Sequence, residues 1–515
     1  MTTRKKLPIG LQDFEKLITG DFLYVDKTAY VHSLVNGSGL YFLSRPRRFG
    51  KSMLLSTIEA LFRGKQELFE GLYIANRWDW KPQPVVRLDF LGIDSRTTES
   101  LARSLIRRLD EQARAYGLTL HAEDCTERFR ELILGLAEQG QVVVLIDEYD
   151  KPILDHITDV EVANRNKAFL GTFYAVLKSV EEYLAFLLIT GVSKFTRISL
   201  FSELNNLKDI TLHPDYAGIA GWTQVEVVRD LAPYLDTEID GLRGQALLDR
   251  MKLWYNGYSW DGKTRVYNPV SLLNLLDQKQ FGYFWFATGT PKFLIKLLRE
   301  GKLSIPEIEH LEINAFSMEG FEPEKIDPAS LLFQTGYLTI KSITKTDMGQ
   351  VYSMVYPNQE VRQAFLSHLL ADYADSDAGR LGPQAWRLGN HLREGDIDAF
   401  CEGCQAMIAT IPYNIFLPNQ EAYYHTVIYL VLSLIGVDLA SEIQTNRGRI
   451  DAVLETADRF YVVEFKLGTA QKAADQIQNK GYANAYRNRG KAVYALAVGI
   501  DPEQRNISEW LCVEV

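Results

Sequence analysis

Leu40-Tyr41-Phe42-Leu43, Val85-Val86-Arg87-Leu88-Asp89-Phe90, Val142-Val143-Val144-Leu145-Ile146 and Ala185-Phe186-Leu187-Leu188-Ile189-Thr190 are short apolar runs, each too brief for a buried helix. Long helical patterns such as 101–116 and 163–182 separate them. Strands that are apolar on both faces need cover on both, and a parallel sheet wrapped by helices supplies it. Residues 1–222 are therefore expected to form an α/β domain. The chain continues for 515 residues, too many for one core, so further domains must follow. From about Thr223 the pattern turns mostly helical with aromatic-rich loops such as Trp254-Tyr255-Asn256-Gly257-Tyr258-Ser259-Trp260. Two strand-like runs, 336–340 and 351–356, then flank a polar turn and lead into a helix near Asn358. Helix, hairpin and helix suggest a winged-helix lid, so 223–384 is read as a helical and winged-helix region. The remainder, 385–515, reads as a helix at 421–435, strands at 449–454 and 460–467, a helix at 473–488 and a strand at 492–498. That αββαβ order marks a separate small domain.

Composition narrows the class. Apolar residues at 46% and charged residues at 24% exclude a disordered or fibrous chain, and a net charge of −10 excludes a protein coated in positive charge. Four cysteines are too few for a disulfide framework and point to a reducing compartment. Cys401 and Cys404 form a CxxC without a second ligand pair, and core packing on a helix is the expectation. The N-terminus lacks the apolar run of a signal peptide, and the longest apolar stretch, 427–437, is short of the ~20 residues a membrane span needs. A cytoplasmic protein without a membrane partner is expected.

Ser44-Arg45-Pro46-Arg47-Arg48-Phe49-Gly50-Lys51-Ser52 joins the first strand to its helix. Backbone N–H groups at such a junction hold phosphate, Lys51 can reach the β- and γ-phosphates, and the Ser52 hydroxyl can bind Mg²⁺. Arg45 stands where a phosphate loop usually has its first glycine. Asp147 and Glu148 close the third strand, which suits Asp147 to the metal and Glu148 to activation of water. The spacing of 95 positions from Ser52 to Asp147 leaves room for an intervening helix–strand–helix, as in additional-strand ATPases. Thr190, Ser193 or Lys194 could sense the γ-phosphate, and Arg197 is a candidate for neutralising charge. The expected cofactors are ATP and Mg²⁺.

A second constellation lies near the C-terminus. Alternation along 461–467 puts Glu464 and Lys466 on one face, and Asp451 lies on the preceding strand. Two close carboxylates need a cation, and an oxygen-only site favours Mg²⁺. Lys466 can then assist the attack of water on a phosphodiester. Glu421 on the helix upstream could add a ligand, Gln476 on the helix downstream could touch the site, and His425 reads as packing or substrate-facing. Arg447, Arg449, Lys472 and Lys480 bring local positive charge for a phosphate backbone.

Taken with Leu7-Pro8-Ile9-Gly10, Tyr24-Val25-Asp26-Lys27-Thr28, Leu145-Ile146-Asp147-Glu148-Tyr149-Asp150 and Thr190-Gly191-Val192-Ser193, the arginine-rich loop resembles that of the bacterial AAA-ATPase-like family. Gly448-Arg449-Ile450-Asp451, Glu464-Phe465-Lys466 and Gln476-Ile477 resemble the PD-(D/E)XK nuclease superfamily domain usually fused to it, with Ile450 where that motif has proline. The resemblance covers 7–220 and 385–515 best. It implies a P-loop additional-strand ATPase domain, a lid, and a restriction-endonuclease-like αβ domain with its motif at Asp451, Glu464 and Lys466 and with Glu421 and Gln476 in matching helices. In that family Arg45 is the expected residue. The resemblance implies ATP binding and a nuclease-type site; with the residues read above, the leading expectation is an ATPase module that gates Mg²⁺-dependent cleavage of nucleic acid, DNA in preference to RNA. An ATP-switched binding protein with a non-catalytic nuclease fold is the alternative, and homo-oligomerisation is left open.

Overall fold

The computed structural model describes residues 4–37, 39–194, 206–285, 308, 311–318, 320, 326–347, 349–373, 378–410, 421–445 and 448–515; side chains at 316–317, 373, 378–381, 421–425, 438, 441–442 and 444 fall outside that description. The chain divides into two compact units, 1–294 with 310–360 and 295–309 with 361–515.

In the first unit, β1 (Leu40–Ser44), β2 (Val85–Asp89), β3 (Val142–Asp147), β4 (Leu184–Gly191) and β5 (Lys208–Asp209) form a parallel sheet in the order β2-β3-β4-β1-β5. All six residues of β3 are buried, as a strand with helices on both sheet faces requires. The covering helices are α1 (Lys51–Phe62), α2 (Thr98–Ala115), α3 (Cys125–Ala137) and α4 (Val160–Ser179). Their starts are set by local chemistry. Thr97 and Ser100 form a reciprocal capping box on α2, and Asp124 caps α3 through the N–H groups of Thr126 and Glu127. Strand β4 lies between β1 and β3, so the strand leading into the Lys51 turn and the strand ending in Asp147 are not neighbours. The register pairs Leu43 with Thr190 and Ile146 with Ile189, which brings Ser44, Asp147 and Thr190 together at the C-terminal ends of the strands.

Beyond this sheet, β6 (Trp222–Thr223) and β7 (Val266–Tyr267) pair antiparallel. They join a core of Val227, Leu247, Met251, Tyr255, Leu272 and Leu275, to which Leu23 and Val25 contribute from the N-terminal segment. Helix α5 (Pro269–Gln278) belongs to this core and is capped by Asn268. The expected hairpin is present as β9 (Thr339–Thr346) and β10 (Gly349–Val355), with a short third strand, β8 (Glu312–Asn314), on the far side of β10. Helix α6 (Pro328–Thr335) precedes it, ending at Gly336 with φ 91°, and α7 (Gln359–Tyr373) follows.

The second unit holds α8 (Ile397–Ile408), α9 (Glu421–Leu434) and a five-stranded sheet of β11 (Asp438–Thr445), β12 (Gly448–Glu455), β13 (Arg459–Leu467), β14 (Ala492–Asp501) and β15 (Asn506–Glu514) in sequential order. Strands β13 and β14 are parallel, and α10 (Ala470–Lys480) connects them. Val463 and Phe465 pack with Leu454, Leu496 and Val498 against Phe400, Cys401 and Cys404 of α8 and Ile428, Val431 and Leu432 of α9, around an apolar cavity of about 20 Å³. Val453 and Val462 pack on the opposite side with Ala473 and Ile477 of α10. Both cysteines of the CxxC are thus core residues of a helix.

The αββαβ order omits β11 and β15. Both are edge strands with one partner each, so neither carries a continuous apolar run, and β15 has Ile507 buried while its other side chains are exposed or half-buried. The helix read over 473–488 stops at Lys480, because Gly481 takes φ 64° and a 3₁₀ turn, Tyr482–Ala485, follows.

Candidate functional sites

The β12–β13 ladder runs from Glu455–Phe460 to Ala452–Val463 and stops there. Strand β12 continues with β11 as far as Gly448, while β13 continues with β14 as far as Leu467. The sheet therefore parts where the next pair would be Asp451 and Glu464. Asp451 reaches across the gap, and its Oδ2 accepts the backbone N–H of Phe465 at 2.9 Å. Glu464 is completely buried on the α10 side. Its Oε1 accepts from the Gln476 amide and lies 3.4 Å from Lys466 Nζ. Its Oε2 accepts no hydrogen bond among the described residues.

Burial pushes the Glu464 carboxyl up to about 7, the Asp451 carboxylate adds to that, and Lys466 opposes it. A buried oxygen without a donor, beside a second carboxylate, is costly in a protein interior unless a cation completes it. The donor set fits a hard divalent ion, with Asp451 and Glu464 as oxygen ligands. No cluster of three His, Cys, Asp or Glu side chains converges among the described residues. Glu421 opens α9, but its side chain and that of His425 lie outside the described residues, as does Arg447.

The raised acidity constant gives a signed prediction. Unfolded Glu464 ionises near 4.5 and folded Glu464 near 7, so the folded chain holds an extra proton between those values. The penalty is absent below pH 4.5, grows as pH rises towards 7 and is complete above it, on the order of 3 kcal/mol. Glu464→Gln should therefore raise the melting temperature of the second unit at pH 8 in EDTA by several degrees and by much less at pH 5. Thermal unfolding at both pH values checks this; an equal gain at the two would show that the carboxyl is not strained by its charge.

The first unit carries the other site. Arg48 at φ 70° and Gly50 at φ 93° turn the chain from β1 into α1, and no side chain caps that helix. A Cβ at Gly50 would meet nothing within 4 Å, so open space lies before the helix N-terminus. Such a turn presents N–H groups to an anion. Lys51 Nζ donates to Arg45 O at 2.8 Å and Pro46 O at 3.0 Å. Burial lowers its pKa, against the pull of Asp147, Asp150 and Glu148. Asp147 Oδ1 accepts from Thr190 Oγ1 at 2.7 Å. Glu148 has φ 51°, a strained value for a non-glycine residue, and burial raises its pKa.

Arg45 faces inward. It is fully buried, donates to Ser44 O, Thr211 O and Tyr216 O, and stacks 4.0 Å from the Trp260 ring, while burial pulls its pKa down to about 9. Phe49 is likewise buried, edge-on to Tyr258 and Trp260. Pro46 is buried, and Arg47 and Arg48 are exposed on the loop. Ser52 is half-buried in the first turn of α1. Thr190 is buried behind Asp147, Lys194 pairs with Asp209 at 2.7 Å, and Arg197 lies outside the described residues.

Residues 8–201 match the family described as Predicted AAA-ATPase, and 419–510 match the PD-(D/E)XK nuclease superfamily. Over 516 aligned residues, 98% of each chain, the sequence is 38% identical to "Uncharacterized protein in vnfD 5'region" of Azotobacter chroococcum mcd 1. The chain belongs to the AAA-ATPase-like family, with a C-terminal PD-(D/E)XK nuclease superfamily domain. No solved structure matches it.

Two features of this AAA-ATPase-like chain escaped sequence reasoning. Asp150 is buried and its Oδ2 accepts from Val192 N, Ser193 N and Ser193 Oγ at 2.6–3.0 Å, which ties the end of β3 to the end of β4. A third acid after the strand was visible in the sequence, but its partners were not. Gln334 Oε1 accepts the Lys194 N–H at 2.7 Å, joining α6 to the same segment, and a lone glutamine carries no sequence signal.

Proposed function

We propose that the protein is a two-site enzyme, an ATP-hydrolysing unit coupled to a Mg²⁺-dependent nuclease that cleaves DNA in the cytoplasm. The observation that carries the nuclease half is the buried, donor-free Oε2 of Glu464 beside Asp451. Asp451 and Glu464 would hold Mg²⁺, and Ser52 and Asp147 would hold the ion that accompanies ATP. A bound Mg²⁺ would supply Lewis-acid polarisation and a more acidic water. The Gln476 amide fixes one oxygen of Glu464 and leaves the other without a donor among the described residues. Lys466 stands beside the same carboxylate, where its ammonium can neutralise charge building on a phosphate or relay a proton from water. In the first unit, Thr190 orients Asp147, and Glu148 is available to take a proton from the attacking water. The part of the 223–384 region that belongs to the first unit serves as the lid over the nucleotide.

Four unpaired cysteines agree with a reducing compartment, and no helix among the described residues is long and apolar enough to cross a membrane. The direct test incubates purified protein with DNA or RNA, in Mg²⁺ or EDTA, with and without ATP. Cleavage of DNA in Mg²⁺, lost in EDTA and slower on RNA, is expected. Intact DNA under every metal and nucleotide condition would sink the nuclease half while leaving ATP hydrolysis to be judged by phosphate release.

A further inference from the structure

The outer side of the phosphate loop is gripped by residues far away in sequence. Trp285 Nε1 donates to Arg47 O at 3.2 Å, and Arg48 Nη1 donates to Phe284 O at 3.5 Å. Gly336 packs so closely on Pro46 that a Cβ there would stand 2.8 Å from Pro46 Cβ. The 284–285 segment lies in neither helix nor strand, and its backbone is held by one carboxylate. Glu360, in the first turn of α7, is completely buried. Its Oε1 accepts Trp285 N at 2.7 Å, its Oε2 accepts Ser271 Oγ at 2.7 Å, and Phe284 N donates to it as well.

An ionised carboxylate accepts at both oxygens, whereas a glutamine would turn a donor towards one of these donors. Burial nonetheless raises the Glu360 carboxyl to about 7, with its hydrogen bonds and the Arg48 charge holding it down. The phenols of Tyr255, Tyr258 and Tyr283 also feel its charge. Burying an acid at that cost requires donors that need it, and two of the three are the backbone groups of the segment that holds Arg47 and Arg48.

We propose that Glu360 is a positioning residue for the nucleotide site: through Phe284 and Trp285 it holds the 45–50 loop in the conformation that receives the phosphates. The role rests on reading that loop as the ATP site. Glu360 touches neither phosphate nor metal, so its loss should raise the KM for ATP about tenfold while kcat changes less than about twofold. Amide exchange of the nucleotide-free full chain tests the grip itself. In Glu360→Gln, peptides covering 45–52 and 284–285 should exchange about tenfold faster, with α1 beyond its first turn and β1 unchanged. Trp285→Phe keeps an aromatic ring, though a smaller one, and removes the donor to Arg47 O, so it covers the case in which Glu360→Gln fails to fold. It should show the same localised exchange and a weaker affinity for a fluorescent ATP analogue. Wild type that binds no ATP overturns the reading of the loop and the role of Glu360 with it. Wild type that binds ATP, with both variants unchanged in loop exchange and affinity, overturns the role of Glu360 alone.

Discussion

Alanine at Lys466 or asparagine at Asp451 is expected to lower Mg²⁺-dependent DNA cleavage by about 10²–10⁴-fold while ATP affinity stays at its wild-type value. The two substitutions remove different things. Asp451→Asn keeps the volume and the acceptor for the Phe465 N–H but removes one of two negative charges facing the gap in the sheet. Metal affinity should fall with it, so part of the lost rate should return at high Mg²⁺. Lys466→Ala leaves both carboxylates and removes the ammonium 3.4 Å from Glu464 Oε1, so added metal should not rescue it. Initial rates on a labelled duplex across a Mg²⁺ series separate the two. Equal activity of wild type and Lys466→Ala would remove the lysine from the chemistry.

Glu148→Gln is expected to slow ATP turnover by about 10²–10³-fold with ATP affinity within about threefold of wild type. The glutamine is isosteric but cannot take a proton. Asp147 keeps its bond from Thr190, and Asp150 keeps its hold on Val192 and Ser193, so the groups proposed to hold metal and nucleotide keep their positions. The carboxyl of Glu148 is already raised by burial and sits on a strained φ of 51°, an arrangement held in place by the structure around it. Phosphate release under saturating ATP, alongside binding of a fluorescent analogue, reads the two quantities independently. A matching drop in affinity and rate would assign Glu148 to binding instead.

Much of the fold could be read before the structure because its central strands are buried on both faces. Val142–Ile146 and Phe460–Phe465 are apolar runs whose only stable home is between helix layers, and the acids at their ends or on alternate positions stand out against them. The edge strands β11 and β15 lacked that contrast, since each has a partner strand on one side only. The C-terminal pair was legible for a related reason. Strand alternation alone placed Glu464 and Lys466 together, and the register then carried Asp451 opposite. What alternation could not reveal was that the ladder ends one residue earlier. Arg45 shows the opposite limit: a charged side chain in a phosphate-loop sequence is buried among carbonyls and under Trp260, because three backbone carbonyls, of Ser44, Thr211 and Tyr216, converge where the loop leaves β1. Glu360 and Gln334 act through contacts with residues 75 and 140 positions away, and no local pattern encodes such distances.

The position of β4 also has a consequence for biogenesis. Strands β2 and β3 can pair as soon as both have been made, but β1 has only β4 and β5 as partners, and Leu40 waits for Leu187. Until the ribosome has delivered that stretch, the first strand synthesised is an orphan hydrophobic segment, exposed for the synthesis of well over a hundred residues. A nascent chain stalled before Leu184 would hold Asp147 on the β2–β3 pair and the Lys51 turn on a strand with no partner, a client for chaperones.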